Sequence, residues 1–218
     1  MRIYVDSADI GAITRALSTG YVYGVTTNPT LLRRAGVSAR EVPGLVQQAV
    51  AEGARELHLQ VYHAYDVPAM LSEGRALAQL DAERVVVKIP ATPQGYAAAA
   101  QLSRQGLRVT MTAVYTVRQA LLAQAVGARY IAVYVGRMRD AGMDALATIG
   151  QMQRVYNTYS AQVQILAASV RQPQEVDALA EMGVATVTLP PDVLQRLADS
   201  PLTEAAAQAF LEDATAVL

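Results

Sequence analysis

Cysteine is absent from this 218-residue chain. That excludes disulfides, thiolate metal sites and a cysteine nucleophile, and it leaves the redox compartment open. Charge imbalance is absent too. With a formal net charge of −1, no overall field draws the chain to nucleic acid or to an anionic membrane, and neither is expected as a partner. No apolar run exceeds strand length, so nothing reads as a membrane span. The first residues, MRIYVDSADI, lack the basic-then-apolar pattern of a signal, and the cytoplasm is the expected compartment. Only two histidines occur, His58 and His63. No carboxylate spacing around them makes a metal site, and no metal is expected. The scarcest charged residue is lysine: 17 arginines stand against one lysine, Lys88.

What is present suits one compact domain. A hydrophobic content of 52% with 17% charged residues matches a chain with a full core rather than a disordered one. A pattern recurs along it. Helix-like segments end at a glycine and a β-rich run follows at once, as at Gly20, Gly53, Gly106, Gly127 and Gly183. Glycine after a helix supplies the left-handed cap that turns the chain into the next strand. With RIYVD, RVVVKIP and VQILAAS added, eight strands are predicted, centred near residues 4, 23, 58, 86, 109, 132, 166 and 186. Helical spacing marks 67–80, 116–126 and 173–182; two helices fit within 29–53, and a long one covers about 142–159.

Strict alternation means an α/β fold with a parallel sheet covered by helices. The first turn, VDSADIGA, has no G-x-G-x-x-G, which argues against a doubly wound dinucleotide fold. The expectation is a single-domain (β/α)8 TIM barrel over 1–218, with 200–218 as an extra C-terminal helical tail. His58 then fills the barrel and His63 sits in a loop.

In such a barrel, chemistry gathers at the C-terminal ends of the strands. The polar residues there are Asp6, the TTN run with Thr26 and Asn28, Gln60, Lys88, Thr112, Tyr134 and Ser169. Strand eight, TVTLPP, offers little. Side chains alternate along a strand. An inward Lys88 therefore takes Val86 with it, Tyr134 takes Ala132, Thr112 takes Thr110, Asp6 takes Tyr4, Gln60 takes His58 and Ser169 takes Ala167. The opposite faces, among them Val85 and Val87 or Ile131 and Val133, pack on helices. A lysine in such a place has a bland reading, a packed stem with a solvated or paired ammonium. It also has a chemical one. Burial disfavours the charged form of an amine, and a neutral amine attacks a carbonyl to form a Schiff base; a guanidinium cannot.

GVTTNP at 24–29, VD at 5–6, VKIP at 87–90, TAVY at 112–115, YVGR at 134–137 and AAS at 167–169 together resemble the transaldolase family, and more narrowly its small fructose-6-phosphate aldolase-like branch. The resemblance implies class I aldol chemistry on sugar phosphates, without metal or cofactor. It implies catalytic roles for Lys88, Asp6, Tyr134, Gln60 and Thr112. Substrate binding falls to Asn28, Thr26, Arg137, Ser169 and Arg171. Gln60 with Tyr134 is the pattern of the aldolase branch; small transaldolases carry Glu and Phe there. Gly136 departs from that branch, where Asn is common, and matches transaldolase-like members. The resemblance also implies a homo-oligomer, a pentamer or a decamer, in which the C-terminal tail packs on a neighbouring subunit. Reversible aldolase cleavage is the first expectation, transaldol transfer the second, and a non-catalytic sugar-phosphate-binding barrel the third.

Overall fold

The computed structural model describes residues 1–217. Eight strands run β1 (Arg2–Asp6), β2 (Val22–Thr26), β3 (Glu56–Gln60), β4 (Val85–Pro90), β5 (Val109–Val114), β6 (Tyr130–Tyr134), β7 (Gln164–Ala168) and β8 (Thr186–Leu189). All are parallel, each pairs with the next, and β8 pairs with β1 to close the barrel. Every predicted strand centre falls inside one of them. The helices are α1 (Ile10–Ser18), α2 (Pro29–Ala35), α3 (Val42–Ala51), α4 (Val67–Ala78), α5 (Pro93–Arg104), α6 (Val117–Ala125), α7 (Val135–Asp140), α8 (Ala145–Thr158), α9 (Pro173–Glu181), α10 (Pro191–Gln195) and α11 (Pro201–Val217). Leu218, the last residue of the predicted tail, lies outside the described residues. Short α7, directly after β6, and short α10, directly after β8, are helices that periodicity alone does not reveal.

Local sequence explains the helix starts. Asp9, Asn28, Asp66, Thr92, Thr116 and Asp144 each cap the helix that follows with a side-chain oxygen, satisfying amides that have no partner within the helix. Asp9 caps α1, which leaves Asp6 for another purpose.

The two strand faces separate as alternation requires. Val5, Leu57, Leu59, Val85, Val87, Ile131 and Val133 join the helices in one apolar layer. Tyr4, Ala132 and Leu166 form a separate cluster inside the barrel. One expectation fails. Ala167, predicted to face inward with Ser169, belongs to the helix-facing layer, and Leu166 faces inward instead. The reason is backbone geometry: Ser169 has φ 57°, so the chain leaves the strand conformation and the alternation does not carry through to it.

The lower barrel is filled by a polar network. Glu56 accepts from the Tyr4 hydroxyl at 2.8 Å, from Arg108 at 2.8 Å and from Tyr130 at 3.3 Å, and lies 3.0 Å from His58 Nε2. His58 Nδ1 lies 2.8 Å from the Thr110 hydroxyl. His63, by contrast, sits exposed in the loop after β3, against Glu73. α11 is the other extreme. None of its described residues is buried; Leu202 is 85% and Phe210 70% exposed.

Although burial alone opposes its charge, the hydrogen bonds from His58, Tyr4 and Tyr130 and the nearby positive charge hold the Glu56 carboxyl down to about 2, against an ordinary 4.5. A folded-state value below the unfolded one stabilises the fold at pH above about 4.5, and that contribution is lost as pH falls toward 2. Burial lowers His58 as well, so its protonation in acid acts in the same direction. Urea midpoints should therefore fall steadily below pH 5. Glu56→Gln should cost about 3 kcal/mol at pH 7 by leaving Arg108 and His58 poorly matched, and should flatten the acid slope. An unchanged slope would remove Glu56 as its source.

Candidate active site

At the C-terminal end of the barrel a cavity of about 270 Å³ opens, lined among others by Asp6, Asn28, Lys88, Tyr134, Arg137, Ser169 and Arg171. Lys88 arrives there because β4 places it one layer above Val86. It is only 3% exposed, and its Nζ donates to the Thr27 carbonyl at 3.1 Å. Asp6 ends β1. Its carboxylate accepts the Thr26 hydroxyl at 2.6 Å, and Thr26 in turn lies 2.6 Å from the Thr188 hydroxyl. Burial pushes the Asp6 carboxyl above the ordinary carboxylate range, against the opposing pull of Lys88, the Thr26 hydroxyl and Arg137. A carboxyl so biased is suited to accepting and returning a proton.

Tyr134 ends β6. Its hydroxyl lies 2.8 Å from the Thr112 hydroxyl, its ring meets Tyr115 edge-on, and the Arg137 guanidinium sits 4.8 Å over its face. The ladder slips between Met111 and Val114, and Ala113 has φ 58°. Together with Ser169 it puts strained backbone at two strand ends bordering the site, where surrounding structure must hold it in place.

The remaining predicted residues fall into distinct positions. Gln60 lies beside Lys88 in the β3–β4 register; among the described residues its side chain makes no hydrogen bond and does not line the cavity. Thr26 is fully buried and meets Asp6 rather than open space. Asn28 lines the cavity, yet its side-chain oxygen caps α2, accepting from the Thr30 and Leu31 amides at 3.0 and 3.1 Å. Arg171 is exposed and holds Asp140 through both terminal nitrogens, at 2.8 and 2.5 Å. Glu175 accepts the Arg171 and Gln172 amides at 2.8 and 3.1 Å and fixes that loop.

Sequence reasoning missed three residues. Thr188 on β8 supports Thr26. Asp140 occupies Arg171. Arg34 on α2 lines the cavity; its spacing from Thr30 on one helix face was the signal that could have found it. Among the described residues no group of three His, Asp or Glu side chains stands together as a metal site, and no helix is long and apolar enough to cross a membrane.

A closed parallel barrel whose one lysine is buried at a strand end, facing a carboxylate and a tyrosine, defines a β/α-barrel protein with an amine-centred site. Comparison with known proteins gives the particular family. Residues 3–218 match the family described as Transaldolase/Fructose-6-phosphate aldolase, and the chain belongs to it. A protein named probable transaldolase from Kosmotoga olearia is 38% identical over 213 residues, covering 98% of this chain and 95% of that one. Proteins of the same name from Dehalococcoides mccartyi and Methanococcus maripaludis are 38% and 37% identical, each match covering 98% of this chain and 97% of the relative. Among solved structures, a thiamine phosphate pyrophosphorylase from Pyrococcus furiosus superposes with a TM-score of 0.61 at 14% identity. It covers 90% of this chain and 93% of that one, a likeness of fold alone.

Gly136 is explained by crowding. A Cβ there would lie 2.6 Å from the Ser169 carbonyl oxygen and 2.7 Å from Arg171 Nε, and the Gly136 amide donates to that same carbonyl at 3.0 Å. Any side chain must push the Ser169–Arg171 segment away. Gly136→Asn should destabilise the fold by about 1–3 kcal/mol and displace this loop in a crystal structure of the variant. An unshifted loop with an unchanged urea midpoint would contradict the crowding argument.

Proposed function

We propose that this protein is a class I aldolase that works through an imine on Lys88. It reversibly cleaves a ketose phosphate, such as fructose 6-phosphate, into dihydroxyacetone and an aldehyde phosphate. The observation that carries this reading is the chain's one lysine, buried at a strand end and facing the same cavity as Asp6 and Tyr134. Family membership supports an aldol-type enzyme acting on sugar phosphates.

The steps follow from the chemistry of these groups. The Lys88 amine adds to the ketone and water leaves, giving the imine. Asp6 takes the proton from the hydroxyl on the far carbon of the bond to be cleaved, the hydroxyl that becomes the aldehyde oxygen. That carbon–carbon bond breaks, the hydroxyl carbon leaves as the aldehyde, and the bonding electrons pass to the imine as an enamine. The enamine carbon then takes a proton from a water positioned by Tyr134 and Thr112, with Gln60 beside Lys88. Water hydrolyses the imine and frees dihydroxyacetone. Asn28 is assigned to the hydroxyls of the donor. Arg137 and Ser169, with Arg171 near them, are assigned to the phosphate through charge-assisted hydrogen bonds. Thr26 acts through Asp6.

The second reading is a small transaldolase, which passes the same three-carbon unit to an acceptor aldehyde. Gly136 and the names of the relatives favour it. The tyrosine hydroxyl bonded to Thr112 favours free cleavage, because a phenylalanine in its place would leave the enamine waiting for an acceptor. The exposed apolar side chains of α11 support assembly with further copies of the chain, as the family resemblance implies.

Two substitutions test this. Lys88→Arg keeps a positive charge but supplies no nucleophile, and cleavage of fructose 6-phosphate should fall to background. Tyr134→Phe should slow release of free dihydroxyacetone about 100-fold or more, while transfer to an added acceptor is kept or gained. Full cleavage by the arginine variant would exclude the imine. Unchanged cleavage by the phenylalanine variant would remove Tyr134 from the proton transfer.

A further inference from the structure

The cavity gathers positive charge out of proportion to the chain. Its lining includes Lys88, Arg34, Arg137 and Arg171 against the carboxylate of Asp6, in a protein whose formal net charge is −1. These cations are not equally free. Arg171 spends both terminal nitrogens on Asp140, and Arg137 lies over the Tyr134 ring. Other arginines of the chain, Arg84, Arg108, Arg139 and Arg196, pair with carboxylates. Among the described residues Arg34 has no such partner and no hydrogen bond.

Its position is set by α2. Asn28 caps the helix at the cavity, and Thr30, Leu31 and Arg34, three and four residues apart, present one face to the same space. Six residues of helix place Arg34 about 9 Å beyond Asn28 along the axis. It therefore lines the cavity from the α2 wall, well along the helix from Asn28, whereas Arg137 comes from α7 and Ser169 from the residue after β7. A guanidinium there cannot take part in bond cleavage. It can meet an anionic group carried several bonds away from the ketone carbon.

We propose that Arg34 is a specificity-determining residue of this site: it grips the terminal phosphate of the sugar substrate from the α2 side and selects phosphorylated over unphosphorylated aldehydes. This rests on the reading of the cavity as a sugar-phosphate site. The free guanidinium offers a planar pair of donors to a phosphomonoester without first breaking an ion pair, as Arg171 must. The sequence region that holds it, between the TTNP motif and Gly36, is otherwise unremarkable surface helix.

The test compares wild type, Arg34→Met, Arg34→Lys and, as a control, Arg33→Met, which removes an exposed arginine of α2 that does not line the cavity. Two readouts are taken: calorimetric binding of inorganic phosphate, and the ratio of kcat/KM for glyceraldehyde 3-phosphate to that for glyceraldehyde, each with dihydroxyacetone. Arg34→Met should weaken phosphate binding and lower the ratio, each about tenfold, mostly through KM; Arg34→Lys should fall between; Arg33→Met should change neither. An unchanged ratio and unchanged phosphate affinity would overturn the proposal. So would an equal loss with both aldehydes, which is what a merely structural role on α2 would give. If the wild-type protein shows no aldol turnover, the aldolase reading fails, and the phosphate titrations alone still decide the role of Arg34.

Discussion

The Lys88 amine is held in a nearly closed space, with the Thr27 carbonyl as its hydrogen-bond acceptor and Asp6 as its charge partner. Much of the surrounding architecture serves that placement. An isolated buried ammonium is costly, and a buried carboxylate is too. Here each offsets the other only in part: burial still raises the Asp6 carboxyl. Thr26 and Thr188 form a buried hydroxyl chain that fixes Asp6 from behind. The hydrogen bond from Lys88 to a backbone carbonyl aims the amine without a second carboxylate that would lock it as an ion.

The barrel divides its polar groups between two levels. The lower level is closed and satisfied: Glu56 is matched by two tyrosines, a histidine and an arginine, and it contributes to stability. The upper level is open, borders strained backbone at Ala113 and Ser169, and leaves donors facing the cavity. The contact between Gly136 and Ser169 joins the β6 and β7 ends. It brings Tyr134, Arg137 and Ser169 into one wall. Arg34 lines the same cavity from α2, a helix whose start is fixed by Asn28, which also borders the cavity.

The strand order, the barrel and the lysine's position were legible in the sequence, because period-two alternation and glycine-terminated helices are local signals. Val86 below Lys88 and Ala132 below Tyr134 follow from alternation alone. Ser169 did not, since a left-handed residue at a strand end breaks the count and nothing in AAS announces it. Thr26 illustrates a different limit. A polar residue in a motif reads as a ligand-binding group, yet its partners, Asp6 and Thr188, lie 20 and 162 residues away. Strand eight looked empty for the same reason: Thr188 matters only through a hydroxyl on a distant strand. Asp140, which occupies Arg171, lies on the short helix α7, which periodicity did not reveal.

The central claim is that Lys88 forms a covalent imine with a ketone donor. The most direct measurement is intact-protein mass spectrometry after incubation with dihydroxyacetone and borohydride, followed by peptide mapping. The account predicts a single reduced three-carbon adduct located on Lys88. A folded protein that gains no adduct, or gains one at its N-terminal amine alone, would contradict it.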